Sequence, residues 1–198
     1  MRYRIEFGRS DANRLKAQKF RQKVFRDSDN GLDEDKFDHI SDHFLIYDKN
    51  SGDKLVLVFR SRMFSSMKEI LCSYSAQYYD LTMLTNLPFT PMEIGRLCID
   101  KRASDPFLLL YAFKYLVSII SSNRSDFIFG CTSFVGADNP RHLVSLSSLE
   151  KNQIADSKFL IKKKSPKTLN IKEEIVSRDR DKTTKSFLPP LLRFYLRL

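Results

Sequence analysis

The chain has 198 residues, 42% of them hydrophobic and 16 of them Phe, enough for one domain with a sizeable core and unlike a disordered chain. Its net charge of +10 calls for an acidic partner or surface, and most of the excess lies late, with residues 151–198 carrying a net +8. Three widely spaced cysteines, Cys72, Cys98 and Cys131, without a Cys-x-x-Cys pair argue against a disulfide framework and a zinc ribbon, and fit a reducing compartment. No signal peptide is expected from the first residues, and the longest apolar region, Phe107 to Ile120, is interrupted by Lys114 and too short for a bilayer of about 30 Å.

Tyr3, Ile5 and Phe7 alternate with charges and predict a first strand. Ser10 or Asp11 can cap the helix that follows, which runs to about Arg26 and places Arg21 and Phe25 on one side. Asp27 to Asp42 is an acidic, Phe-anchored loop that can line a site or stay solvated; it lacks the ligand spacing and closing Glu of a calcium loop, and no metal is expected. His43 to Tyr47 and Leu55 to Arg62 read as a hairpin around Asn50-Ser51-Gly52-Asp53. A short helix is expected within Ser75 to Leu84.

Pro91 to Asp100 is the informative strand. Met92, Ile94, Leu97, Cys98 and Ile99 are core types, whereas Glu93 and Arg96 are costly there unless paired or used. Residues three apart face opposite sides of a regular strand, but a bulge at Gly95 would turn both into one cleft. The alternative is a surface ion pair on an edge strand. Asp105 and Pro106 then start a buried helix through Ile120, Asp126 to Cys131 is a strand, and Pro140 opens a helix to about Leu149. Ile154, Phe159 and Ile161 hint at a late strand, Leu169 to Lys185 is charged, and Leu188 to Leu198 is a short amphipathic helix after two prolines. The order predicts an α+β domain over residues 1–150, with a mixed, mostly antiparallel twisted sheet flanked by helices, and a basic C-terminal extension over 151–198.

Several segments in this order resemble one family. They are Ala17-Gln18 through Arg21 to Phe25, Phe37-Asp38 with Asp42-His43, Tyr79-Asp80-Leu81, Glu93-Ile94-Gly95-Arg96-Leu97-Cys98, Phe129-Gly130-Cys131-Thr132-Ser133-Phe134, and Leu188-Pro189-Pro190-Leu191-Leu192. Together they are similar to the bacterial ornithine-lipid N-acyltransferases, hemolysin-like enzymes of GNAT type that make lyso-ornithine lipid. That resemblance implies a GNAT-like fold and transfer of a 3-hydroxyacyl chain from acyl carrier protein to the α-amine of ornithine. It also implies likeness to acyl-homoserine-lactone synthases, whose pattern falls here on Arg21, Phe25, Asp38, Asp42, Arg60, Glu93 and Arg96. The absence of Trp departs from the synthases and weakens that likeness, and the chain's stop shortly after the Leu-Pro-Pro-Leu-Leu segment departs from the acyltransferases; the alternative is an acyl-homoserine-lactone-synthase-like or other long-chain N-acyl amino acid synthase, or an inactive shortened homologue.

On this reading Glu93 is the general base, with Arg96 holding it or the ornithine carboxylate. Asp38 and Asp42 would bind cationic groups of ornithine, with Arg21 and Arg60 ordering the loop. Lys101-Arg102-Ala103-Ser104-Asp105 has no glycine, unlike a coenzyme A pyrophosphate turn, so no cofactor is expected and the donor would be an acidic carrier protein received by Lys101, Arg102, Lys162, Lys163 and Lys164. A cytoplasmic protein, peripheral on the anionic inner membrane, is implied. Nucleic acid is not an expected partner, because Lys151 to Lys185 holds only Phe159 as an aromatic.

Overall fold

The computed structural model describes residues 2–103, 105–133 and 161–166, together with His142, Asp156, Phe159 and Leu192. The expected helix over 140–149, most of the late strand, the charged stretch over 169–185 and the amphipathic segment over 188–198 lie outside the described residues. The chain divides into two compact units, Met1–Ala76 with Thr85–Cys131, and Gln77–Leu84 with Thr132–Leu198.

The first unit is built on a five-stranded sheet. Its strands are β1 (Tyr3–Gly8), β2 (Asp42–Asp48), β3 (Lys54–Met63), β5 (Pro91–Ile99) and β6 (Phe127–Phe129), in that spatial order. The first four are antiparallel neighbours, and β6 joins β5 in parallel. Helix α1 (Asp11–Arg26) starts where the Ser10 hydroxyl accepts from the Asn13 N–H at 3.2 Å, and ends at Asp27 in the left-handed conformation. It packs Ala17 onto Leu45, Tyr47, Val58 and Cys98 on one face of the sheet. Helix α2 (Leu108–Ser122) sets Ala112, Phe113 and Leu116 against Phe59, Ile94 and Leu97 of the other face.

Register places two cross-sheet rows side by side. Phe7, Phe44 and Phe59 are directly paired across three strands on the α2 face, with ring centroids 4.5 and 4.0 Å apart. The next row is Gly8, His43, Arg60 and Gly95 across four strands, on the α1 face. Because side chains alternate, the row that follows an aromatic one points into the opposite layer. The sheet thus has a greasy α2 side and, at this end, a polar α1 side.

In the second unit, β4 (Tyr79–Asp80) pairs antiparallel with β7 (Lys162–Lys163), and Leu81 and Leu84 are buried. The helix expected within Ser75 to Leu84 is not formed; three-residue 3-10 turns flank β4 instead. The Asp80 carboxylate takes both the N–H and the hydroxyl of Thr82, at 3.0 and 2.5 Å, a local bond that competes with helical continuation. Among the described residues, no helix is long and apolar enough to cross a membrane.

Candidate functional site

Helix α1 buries little that is apolar at its centre: Ala17, Gln18 and Arg21 are its buried residues. Gln18 and Arg21 point into the loop after the helix, and that loop supplies the counter-charges. Arg21 donates through Nε to Asp33 Oδ1 at 3.1 Å, and through Nη2 to the Asp33 carbonyl at 2.6 Å and Asp38 Oδ2 at 2.7 Å. From the sheet, Arg60 Nη1 donates to Asp35 Oδ1 at 2.5 Å and Asp38 Oδ1 at 2.7 Å. The Arg60 guanidinium also lies 5.7 Å from the Phe37 ring centre and 5.4 Å from that of Tyr74. Arg96 Nη2 completes the network, 3.2 Å from Asp35 Oδ2 and 3.5 Å from Asp33 Oδ1. These three arginines and three aspartates share one cluster, and the exposed Arg26 reaches its edge with Nε 3.8 Å from Asp33 Oδ2.

Burial makes this pairing obligatory, since Arg21 is 1% and Asp38 0% exposed. Burial pushes the Asp38 carboxyl up, but Arg21, Gln18 and Arg60 outweigh it and bring it to about 2. Asp35 is also held low: burial pushes it up, but the Arg60 hydrogen bond and charge and the Phe37 N–H together outweigh it. Burial lowers His43 below the ordinary histidine value, and its neutral ring sets Nε2 2.9 Å from the Asp38 carbonyl oxygen. Among the described residues, His43 Nδ1 and Arg96 Nε are buried without a hydrogen-bond partner, and Asp35 Oδ2 has only its ion pair with Arg96 Nη2.

The bulge in β5 is present, one residue beyond the expected place. Pairing runs Val58 to Cys98 and then Arg60 to Gly95, so β5 spends three residues where β3 spends two. The extra residue is Arg96, whose φ is +54°. Gly95 does not carry the left-handed turn, which corrects the expectation that glycine supplies the bulge. The insertion rotates Arg96 toward the acidic loop, on the side where Arg60 and Glu93 stand. A Cβ built on Gly95 meets nothing within 4 Å, so there is open space over the polar row.

Glu93 does not touch Arg96. Its carboxylate is held by the segment after Cys72: Oε1 accepts from the Ser75 N–H at 2.7 Å and the Ser75 hydroxyl at 2.6 Å, and Oε2 from the Tyr74 N–H at 3.0 Å. The same segment carries the Tyr74 ring to Phe37, 5.6 Å centroid to centroid, and to Arg60. Glu93 and the arginine–aspartate cluster are therefore joined through Tyr74.

Of the residues singled out in the sequence, Arg21, Asp38, Arg60 and Arg96 converge in the cluster, and Glu93 is tied to it. Asp42 is not brought in; it points to Arg9 Nη2 at 3.6 Å, because it opens β2 one position away from the polar row. Phe25 is 46% exposed at the end of α1 and no described contact joins it to the cluster. Lys101 and Arg102 lie exposed in the turn after β5, and Lys162 and Lys163 are exposed on β7 with Lys164 following. Sequence reasoning missed Asp33, Asp35 and Gln18 as partners of Arg21 and Arg60. The spacing of three Asp around Phe37, opposite two arginines that must be neutralised, was the signal available. Nothing in the pattern marked Tyr74 or Ser75.

A family model described as an acetyltransferase (GNAT) domain matches residues 15–112. The L-ornithine N(alpha)-acyltransferase of Brucella abortus (strain 2308) is 30% identical over 178 residues, covering 84% of this chain and 61% of that protein. This chain therefore spans about three fifths of that relative's length. The L-ornithine N(alpha)-acyltransferases of Rhodobacter capsulatus and Agrobacterium fabrum are 26% and 27% identical, over 99% and 100% of this chain and 80% and 67% of their own lengths. Among solved structures, an N-acyl amino acid synthase from uncultured soil microbes shares the fold, with a TM-score of 0.50 at 14% identity over 75% of this chain and 77% of that one. The mixed sheet, the bulged central strand and these matches have one reading: the fold is GNAT-like, and over most of its length the chain is similar to L-ornithine N(alpha)-acyltransferases.

Proposed function

We propose that this chain moves a 3-hydroxyacyl group from an acyl-carrier-protein thioester to the α-amine of ornithine. The observation that carries the reading is its alignment, over most of its length, with three proteins named L-ornithine N(alpha)-acyltransferase. The site offers the chemistry. Amine attack on a thioester needs a neutral amine, placement and a donor for the oxyanion. Glu93 is the base: three hydrogen bonds fix it, and Oε2, which among the described residues accepts from the Tyr74 N–H alone, keeps a lone pair for the amine proton or a bridging water. The bulge at Arg96 releases backbone from the β5 ladder, which supplies N–H groups for the thioester oxygen. The Asp35 carboxylate and the Arg96 guanidinium, paired with each other at 3.2 Å, suit the ammonium and carboxylate of an amino acid that enters beside Gly95.

The turn before α2 supports a carrier-protein donor over coenzyme A. Asp100 Oδ1 accepts from the Arg102 N–H at 2.9 Å, and Asp105 Oδ1 from the Phe107 N–H at 2.8 Å. Amides that would cradle a pyrophosphate are thus occupied by the chain's own carboxylates. A polar cavity of about 120 Å³ beside this turn is lined by three more acids and bases of the same kind, Arg2, Asp48 and Lys54. The amphiphilic product would place the enzyme peripherally on an anionic membrane surface.

The test incubates the protein with 3-hydroxyacyl carrier protein and ornithine and follows the N-acyl product by mass spectrometry, with lysine and glutamine as competing acceptors. Preferential acylation of ornithine is expected; no amide, or equal use of all three, overturns the proposal. Glu93→Gln should abolish turnover. It turns an NH2 toward the Tyr74 N–H and so costs about 1–3 kcal/mol of stability, which a thermal melt separates from lost chemistry. Full activity in that variant would remove Glu93 as the base.

A further inference from the structure

Glu93 ends a longer chain of hydrogen bonds. The Ser75 hydroxyl donates to Glu93 Oε1 at 2.6 Å and accepts from Cys131 Sγ at 3.4 Å. A hydroxyl has one proton to give, so the Cys131 thiol, donating into it, fixes the direction in which Ser75 donates. Ser75 is 4% and Glu93 7% exposed, so neither side chain has bulk water as an alternative partner. Cys131 sits two residues past Phe129, the last β6 residue paired with β5, opposite Glu93 itself. Gly130 between them lies so close to the β5 backbone that a Cβ there would stand 2.2 Å from the Ile94 carbonyl oxygen. The backbone approach at Gly130 thereby fixes where the Cys131 sulfur lies.

We infer that Ser75 is the positioning residue of the acyl-transfer base, with Cys131 as the residue that orients Ser75. This rests on the reading of Glu93 as that base. With the N–H and hydroxyl of Ser75 on Oε1, both lone pairs of that oxygen are used, and the proton from the amine is taken at Oε2. Without the hydroxyl the carboxylate is free to rotate and share the incoming proton between its oxygens. Cys131 acts only through Ser75. Burial holds its thiol above the ordinary cysteine value, and the Glu93 charge adds to it. A half-buried, protonated thiol is a donor here rather than a nucleophile.

Two measurements test this, and the first needs no acyl substrate. In a Cys72→Ser background, which removes the exposed thiol and leaves Cys98 buried, the rate of iodoacetamide labelling of Cys131 is followed against pH. Ser75→Ala should speed labelling at fixed pH by about threefold, and Glu93→Gln should speed it by a similar factor, since the first removes the acceptor that holds the thiol proton and the second a nearby negative charge. Unchanged rates in both variants overturn the chain. The second measurement is acyl transfer: Ser75→Ala should lower kcat about tenfold with KM within twofold of the original, and Ser75→Thr should restore most of it. A Ser75→Ala enzyme with unaltered kcat, or one whose loss Ser75→Thr does not repair while both variants melt like the parent, overturns the role. If the parent forms no acyl-ornithine at all, the proposed function fails, and the labelling result still decides whether the three side chains are coupled.

Discussion

Arg21 and Asp38 are both withdrawn from water, and each keeps its charge because the other is there. Asp38→Asn leaves Arg21 and Arg60 short of a carboxylate and should cost about 3–5 kcal/mol in urea unfolding. Asp42→Asn removes only a 3.6 Å contact to a half-exposed Arg9 and should cost no more than about 0.5 kcal/mol. Equal losses would show that the network is not the stabilising unit. His43 adds a pH dependence of defined sign. Its folded-state value is lowered, so the unfolded chain binds its proton first; the contribution is present above the ordinary histidine value of 6.5 and is lost as pH falls below it. The groups facing the ring are the Asp38 carbonyl and carboxylate, Arg21 and Arg60, and a protonated ring beside those two guanidiniums is the unfavourable state. The melting temperature should therefore fall between pH 7 and pH 5.5, and less so in His43→Gln, whose amide can still donate to Asp38. Asp38 and Asp35, held low, weaken the fold only in a second, more acidic step below about 3.8.

Strand β5 carries the site because two glycines, one in it and one after its neighbour β6, do different jobs. Gly95 faces open space and has no left-handed φ, whereas Gly130, just after β6, presses against Ile94. Gly95→Ala should leave the melting temperature nearly unchanged and raise KM for the amine, since its methyl enters the space proposed for substrate. Gly130→Ala should destabilise by about 1–3 kcal/mol, because backbone stands where the methyl would go. The reverse order would place the open side of β5 elsewhere. This strand also shows what the sequence made legible. The cost of burying Glu93 and Arg96 demanded partners and a bulge, and both exist. Which residue takes the positive φ was not legible, because glycine is only the usual carrier of that conformation; here Arg96 adopts it, and its ion pairs to Asp33 and Asp35 offset a backbone cost of about 1–2 kcal/mol. Strands β1 to β3 and helix α1 were readable from alternation and capping. The partners of Glu93 were not, because Tyr74 and Ser75 reach it from a stretch of short 3-10 turns with no periodic pattern.

On the scale of the molecule, charge is divided by place. The cluster of Arg21, Arg60 and Arg96 with Asp33, Asp35 and Asp38 is neutral within itself, so it draws in no polyanion from solution. The turn after β5 is different. Lys101 is paired only at 3.7 Å with the exposed Asp27, and Arg102 at 3.8 Å with Asp100, both through side chains more than half exposed. Such pairs contribute little to stability and remain available to a partner's carboxylates. If an acidic carrier protein docks there, long-range attraction governs its arrival more than its grip. The double variant Lys101→Glu, Arg102→Glu should then raise KM for carrier-bound thioester about tenfold at low ionic strength, with the gap narrowing as salt is added past about 0.15 M, where charges farther apart than about 8 Å are screened. Its melting temperature should match the parent's. A short acyl thioester without the carrier should show no such salt-dependent gap. A KM gap that persists undiminished in high salt would mean that the two side chains touch the thioester arm itself, and that the carrier is received elsewhere.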